Sequence, residues 1–404
     1  MTDKPTTRSP APTRGTADAT PPALTLEGVG KHYGGVVAAR DLQLTVAPGE
    51  LVTVIGPSGC GKSTLLRLIA GLERPDAGTI RIAGETVAGS GRFQQPERRR
   101  VGMVFQDYAL FPHLTVAQNV AFGLNRAARA ERRVRVDEAL ELVRMAHLSG
   151  RYPHELSGGQ QQRAALARAL APAPKVVLLD EPFSSLDESL RAQLRADTVA
   201  ALRETRTTGV LVTHDQTEAL SVGDRVVVMR GGAIEQADVP EKVFEQPASR
   251  FVASFMGDAD FLPAHVDRAL LTCEIGIVST VPGWADSDVD VEVVLRPHEV
   301  ALRADPSSAS RVAAVEYHGA FVLHTVQLPS GRRLRSWQHN GVRYPVGTAV
   351  AVGVAPGIVP SLLVGDEAIT RPPGRNGGQP LDSREDGLPA PAPALAEDTF
   401  HRAR

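Results

Sequence analysis

The nine residues GPSGCGKST, Gly56 to Thr64, follow the apolar run LVTVI and lead into KSTLLRLIA. Glycines this dense weaken regular structure, so the stretch needs a compensating role. It matches the pattern G-x-x-x-x-G-K-[ST], placed between a strand and a helix, the context that pattern requires. Glycines let the backbone curl with its N–H groups inward, and the following helix N-terminus adds positive potential for an anion. Gly56, Pro57, Ser58, Gly59, Cys60, Gly61, Lys62, Ser63 and Thr64 would together wrap the phosphates of ATP. Lys62 would reach the β- and γ-phosphates and the Ser63 hydroxyl would bind Mg²⁺.

Phosphate transfer to water needs two further groups, and KVVLLDEP supplies carboxylates at the end of a buried run. Asp180 would hold Mg²⁺, directly or through water, and Glu181 would polarise the attacking water. A second anion site is offered by LSGGQ, Leu156 to Gln160, which opens the helix QQQRAALARAL. Ser157 has the type and place of an N-cap. Gly158 and Gly159 would leave bare N–H groups at the positive helix end.

The elements that position these groups alternate in type from Leu24 to about Phe255, the pattern of an α/β domain with a largely parallel sheet. ALTLEGV and LQLTVAPG read as strands of an opening β layer; LVTVI, KVVLL and GVLVT read as buried strands. KSTLLRLIA reads as a helix stopped by Gly71. VDEALELVRMAHL places Val136, Ala139, Leu140, Val143 and Ala146 on one helical face. Beyond Gly257 short strands parted by turn residues take over, which reads as a small OB-like barrel. The expected division is a disordered tail over 1–22, a nucleotide-binding domain over 23–257, a β domain over 258–366 and a second disordered tail over 367–404.

Composition narrows the class. Of 404 residues 42% are apolar and 22% charged, ordinary for a globular protein, and a net charge of −2 advertises no polyanion partner such as nucleic acid. Two distant cysteines, Cys60 and Cys273, argue against a disulfide framework or a zinc site. Cys60 reads as a small residue tolerated in a glycine-rich turn rather than as a redox-sensitive thiol. The amino-terminal stretch has no apolar core of a secretory signal, and no run approaches the roughly 18 apolar residues of a membrane span. Any work at a membrane would need another chain as anchor.

Taken in order, GPSGCGKST, VFQDYALFPHLTV, LSGGQQQR, VVLLDEPFSSLD and VTHD resemble the nucleotide-binding subunit of ABC transporters. The resemblance covers residues 24 to about 255 and extends, less specifically, through RPHEVAL into strands similar to the regulatory domain of importer ATPases. It implies an α/β P-loop ATPase with a mixed sheet core, an antiparallel β subdomain and a helical subdomain, followed by an all-β OB- or TOBE-like domain. It also implies roles. Tyr33 would stack on adenine, Gln106 would sense Mg²⁺ and the attacking water, and His214 would contact the γ-phosphate. Asp187 would sit at the interface of a head-to-tail homodimer, in which LSGGQ of one copy covers the γ-phosphate on the Lys62 loop of the other. Catalysis would then rest on Glu181, His214, Gln106 and Lys62, with Ser63, Gln106 and Asp180 at the metal.

The same resemblance sets YALFPHLTV against a short helix of a membrane permease, with Leu110, Phe111 and Pro112 as the docking patch; the residues alone also allow a place in the core. PERRRVG reads as a solvated basic loop, with lipid head groups as the alternative. The expected location is the cytoplasmic face of the cell membrane, with an extracytoplasmic solute-binding protein as an indirect partner. FVASFMGDADFLPAHV and YHGAFVLHTVQLPSGRRL resemble ferric-iron importers more than maltose types, with polyamine, thiamine, phosphonate and sugar importers as alternatives. A different class, an ABC ATPase acting as a regulatory or nucleic-acid-associated switch, usually carries coiled coils or paired cassettes, and neither is present in the chain.

Overall fold

The computed structural model describes residues 20–124, 127–184, 188–267, 270–280 and 287–369. Asp187 and most of both expected tails lie outside these residues. The chain divides into two units. The first runs to Arg225 and takes back Met229–Ile234; the second takes Val226–Val228 and the chain from Glu235 onward.

The first unit opens with an antiparallel hairpin of β1 (Leu24–Tyr33) and β2 (Val36–Val46), in the register Leu24 with Val46. After β3 (Leu51–Ile55) and α1 (Lys62–Ala70), the strands β4 (Ala77–Ile82), β5 (Glu85–Gly89) and β6 (Arg92–Phe93) extend this antiparallel layer in the order β2-β1-β4-β5-β6. Then follow β7 (Val101–Val104), α2 (Val116–Ala121), α3 (Arg129–Leu142), α4 (Gly158–Leu170), β8 (Val176–Asp180), α5 (Glu188–Glu204), β9 (Thr208–Thr213) and α6 (Gln216–Val222). The strands β10 (Arg225–Arg230) and β11 (Ala233–Asp238) complete the list up to the second unit.

β3, β9, β8 and β7 pair in that order, all parallel. Every residue of β3 and β9 is buried, which is why LVTVI and GVLVT read as continuous apolar runs rather than alternating ones. α1 ends where expected: Gly71 takes the left-handed conformation at φ 84° and its N–H bonds back to the Arg67 carbonyl. The helix expected over VDEALELVRMAHL instead covers Arg129–Leu142. It stops because Arg144 turns left-handed, φ 57°, and the Met145 N–H returns to the Leu140 carbonyl at 2.7 Å. Val136, Ala139, Leu140 and Val143 are nevertheless buried in the core as the face requires, Val143 from just beyond the helix end.

In the second unit α7 (Pro240–Glu245) and α8 (Arg250–Phe255) precede an all-β body. Its strands are β12 (Asp260–Asp267), β13 (Leu270–Cys273), β14 (Gly276–Thr280), β15 (Ser287–Leu295), β16 (Val300–Ala304), β17 (Arg311–Tyr317), β18 (Phe321–Gln327), β19 (Arg333–His339), β20 (Val350–Val354), β21 (Ser361–Val364) and β22 (Glu367–Ile369). They form sheets β14-β13-β12-β15-β21-β22, β16-β20 and β17-β18-β19. Arg296 is 97% buried by area and stacks its guanidinium 3.7 Å from the Phe244 ring while donating to the Phe244 carbonyl, which ties α7 to the strands. No helix among the described residues is long and apolar enough to cross a membrane.

Candidate functional site

Four neighbouring parallel strands end on one edge of a sheet, and each is followed at once by a group with chemistry. β3 leads into the glycine-rich loop and Lys62, β9 into His214, β8 into Asp180 and Glu181, and β7 into Gln106. The carboxyl edge of parallel strands is where open α/β sheets take ligands, because loops there diverge while the strands hold their starting points.

The loop after β3 is shaped by two close approaches. A Cβ on Gly56 would run into the Met229 carbonyl and one on Gly61 into the Ala38 carbonyl, and Gly61 also needs a φ of 107°. β2 therefore lies hard against the loop through Ala38. Lys62 is 93% buried and curls back, donating to the carbonyls of Gly56 at 2.7 Å and Pro57 at 3.1 Å. Its ammonium thus sits inside the loop, hydrogen-bonded to main-chain carbonyls. No side chain caps the α1 N-terminus, so its first N–H groups remain available to an anion. Ser58, Gly59 and Ser63 are exposed, Pro57 and Thr64 half-buried. These residues fit a triphosphate: inward cation, uncapped helix end and a hydroxyl beside it. Cys60 is buried beneath the loop, and burial pushes its thiol up from the ordinary range.

Asp180 is half-buried at the end of β8. Burial raises its carboxyl above the ordinary range, with the Glu181 charge adding to this and Arg67 and Lys62 opposing it. Among the described residues no cluster of three or more acidic, His or Cys side chains could hold a metal unaided. That suits Mg²⁺, which takes one or two protein ligands and completes its shell with phosphate oxygens and water.

Glu181 adopts the left-handed backbone at φ 43°, unusual for a residue with a side chain. Its N–H bonds to the Val212 carbonyl at 3.0 Å, and its Oε2 lies 2.9 Å from Nδ1 of His214. The imidazole is largely exposed, at 61%. Behind it, the Thr213 hydroxyl donates to the buried Glu218 carboxylate and accepts from the Asp215 N–H at 3.0 Å. Asp215 in turn caps α6 by accepting from the Glu218 N–H at 2.8 Å. Thr213, Asp215 and Glu218 so fix the backbone on both sides of His214.

Ser157 caps α4 in a reciprocal box: its N–H donates to Gln160 Oε1 at 2.9 Å, and the Gln160 N–H donates to Ser157 Oγ. Ser157 and Gly158 are exposed, Gln160 half-buried and Leu156 in the core. Gly159 has a packing role beside the one expected of it. It is buried, and a Cβ there would press on Leu194 of α5 at 2.8 Å, so it is also a packing glycine.

The loop from Gln106 to Leu114 is held from two sides. Gln106 is exposed. Tyr108 and Ala109 are left-handed, and Arg168 of α4 reaches across to their carbonyls, at 2.9 and 2.6 Å, with its guanidinium 5.7 Å from the Phe111 ring. Asn119 is fully buried and donates to the carbonyls of Phe111, Leu114 and Thr115 while accepting from the Phe111 N–H. Leu110 packs partly on the core, Phe111 is half-buried against Phe122, and Pro112 is exposed. Tyr33 lies at the tip of β1, 41% exposed, with the Lys31 ammonium 5.3 Å from its ring centre. Asp187 falls outside the described residues.

Sequence reading missed Arg168, Asn119 and Glu218. The first two act over separations of about 60 and up to 8 residues with main-chain atoms as partners, and no side-chain pattern reports that. Only the spacing of an acid five residues after Thr213 on the α6 face hints at the third.

A family model described as ABC transporter matches residues 39–184, and one described as TOBE domain matches 293–359. The chain is 46% identical over 311 residues to a Fe(3+) ions import ATP-binding protein of Rhodococcus jostii, covering 76% of this chain and 88% of that protein. It is 41% identical over 352 residues to a spermidine/putrescine import ATP-binding protein of Pseudomonas aeruginosa (82% and 96%) and 44% identical over 317 residues to a sulfate/thiosulfate import ATP-binding protein of Gloeobacter violaceus (77% and 87%). Among solved structures, cbiO1 from Clostridium perfringens, part of the ABC transporter complex cbiONQ, is similar at 32% identity with a TM-score of 0.52, over 56% of this chain and 92% of that one.

Proposed function

The chain belongs to the ABC transporter family as an ATP-binding subunit of the importer type, and we propose that it uses ATP hydrolysis to drive ferric-iron uptake through a membrane permease. The observation that carries the ATPase chemistry is the convergence of Lys62, Asp180, Glu181, His214 and Gln106 on the ends of four adjacent parallel strands. Three Rhodococcus jostii ferric-iron relatives at 46–47% identity support the cargo.

Lys62 binds the β- and γ-phosphates by leaving the carbonyls of Gly56 and Pro57, which exchanges neutral acceptors for anionic ones. The loop from Gly56 to Thr64 supplies main-chain donors, and Tyr33 stacks on the base. Ser63, Asp180 and Gln106 would hold Mg²⁺, which would supply neutralisation of charge on the phosphate oxygens. Glu181 accepts the proton of the attacking water, and His214, paired with it, orients the carboxylate and contacts the γ-phosphate.

The second anion site, Leu156 to Gln160, acts on a second copy of the chain, with Asp187 at that interface. ATP is then part of a homodimer contact, and its hydrolysis biases the pair from closed to open. Leu110, Phe111 and Pro112 dock the permease, which works with an extracytoplasmic solute-binding protein; the chain itself sits peripherally at the cytoplasmic face. Residues 23–257 form the ATPase domain and 258–366 a regulatory one.

The test is uptake of radiolabelled ferric iron, spermidine and sulfate by cells with and without the chain. Loss of iron uptake alone is expected. Loss of spermidine or sulfate uptake with iron intact, or unaltered uptake of all three, would overturn the ferric-iron cargo.

A further inference from the structure

The basic run PERRRVG takes no part in the chemistry above. In the fold it borders a pocket of about 610 Å³ at the opposite, amino-terminal edge of the parallel sheet. Arg98, Arg99 and Arg100 reach it from just before β7, Lys175 from just before β8 and Arg206 from just before β9. Glu85 is the one acidic residue in the lining. None of the five cations forms an ion pair with a carboxylate among the described residues, whereas eighteen pairs elsewhere in the described residues do, or include a histidine that could.

Arg99 is the deepest of them, 98% buried. Its Nη1 donates to the carbonyls of Leu68 and Ile69 at the end of α1, at 2.7 and 3.0 Å, and its Nε to the Gln94 carbonyl at 2.8 Å. Its Nη2 is buried with no partner, and so is Oε1 of Gln94, which lines the same pocket. Buried polar groups are nearly always paired, so an unused donor on a buried cation asks for an acceptor. Burial brings the Arg99 guanidinium down to about 10, so it stays charged at neutral pH. Cations gathered on one concavity repel each other, a cost removed by a multiply charged anion.

We propose that this pocket is a binding site for a phosphate-bearing anion, distinct from the ATP site. Arginine forks match phosphate oxygens bidentately, which favours phosphate over a carboxylate or halide. Ile82, Val87 and Leu170 give the pocket apolar wall as well, so the phosphate belongs to a molecule with an apolar or ring portion. That molecule is a soluble phosphorylated metabolite or an anionic lipid, both presenting the same head chemistry.

The test uses the full chain saturated with Mg²⁺ and a non-hydrolysable ATP analogue, so that the Lys62 loop is occupied. Inorganic pyrophosphate is titrated in by calorimetry, and in a second arm the protein is sedimented with phosphatidylcholine vesicles with and without phosphatidic acid. Binding in at least one arm is expected, weakened tenfold or more in the triple variant R98A/R100A/R206A and by added salt. Pyrophosphate binding without vesicle binding identifies a soluble ligand; the reverse identifies a head group. These three side chains are exposed and remote from the ATP machinery, so the variant keeps its ATPase activity. Failure of both probes to bind, or equal binding by the triple variant, overturns the proposal.

Discussion

Oε2 of Glu181 lies 2.9 Å from Nδ1 of His214, and the two arrive on neighbouring strands, β8 and β9, rather than on one loop. The pair ties the proposed proton acceptor to a residue whose flanking backbone is fixed by Thr213, Asp215 and Glu218. Glu181→Gln keeps an oxygen that can meet the imidazole but cannot take a proton. Turnover should fall by roughly 10²–10⁴-fold while ATP binding persists, and an ATP-bound dimer should accumulate. Phosphate release and light scattering on the same sample check this. Parental turnover would remove Glu181 from the role, and a monomer at saturating ATP would remove the dimer.

Lys62→Ala should lower ATP affinity by about 100-fold, near 3 kcal/mol. The ammonium is already enclosed by the loop, with two carbonyls as its main partners. Its loss leaves the loop without an inward cation. Fluorescent-nucleotide titration measures the change. Unchanged affinity would mean that the loop amides and the α1 N-terminus suffice.

Arg168 joins α4, the helix opened by LSGGQ, to the loop carrying Leu110, Phe111 and Pro112. Arg168→Ala frees two carbonyls at left-handed residues and removes the cation beside Phe111. Permease-stimulated hydrolysis should drop about tenfold or more, while the ATPase rate of the isolated chain stays within about twofold. Phe111→Ala should act in the same direction. Equal loss in the isolated chain would place both residues in the core rather than at a docking surface.

Glu218 is 97% buried by area, and burial holds its carboxyl above the ordinary range despite the Thr213 bond. A carboxyl raised in the folded state keeps its proton where the unfolded chain has lost it. Its unfavourable contribution therefore grows as pH rises from the ordinary carboxylate range through the folded-state value. Glu218→Gln preserves an acceptor for Thr213 and removes the titration. The variant should gain stability relative to the parent between about pH 5 and pH 8, measured by denaturant melts. A constant difference across that range would show that Glu218 is ionised in the folded state just as in the unfolded chain, with no raised carboxyl.

The sheet edge is readable in the sequence because its strands are apolar on both faces and each is followed by a distinctive group. LVTVI, KVVLL and GVLVT are nearly continuous apolar runs, followed directly by the glycine-rich loop that begins at Gly56, by Asp180 and by His214, respectively. The end of α3 was not readable. Arg144 has no sequence mark of its left-handed turn, and the apolar spacing runs on through Val143 to Ala146. Nor could spacing reveal that Gly159 packs against Leu194, since small size serves an anion and a neighbouring helix equally. The grip of Arg168 on Tyr108 and Ala109 is invisible for a further reason: it addresses main-chain carbonyls, which every residue has.

β9 stands between β3 and β8 in the sheet. The strand bearing His214 is therefore the common neighbour of the strand feeding the phosphate loop and the strand feeding the acid. With main-chain ladders on both flanks, and every residue of β9 buried, the spacing of Lys62 from Glu181 is set like the distance between two rails by the sleeper they share. Opening and closing of such an engine must then come from parts carried around this track, the helices and loops, and not from its gauge.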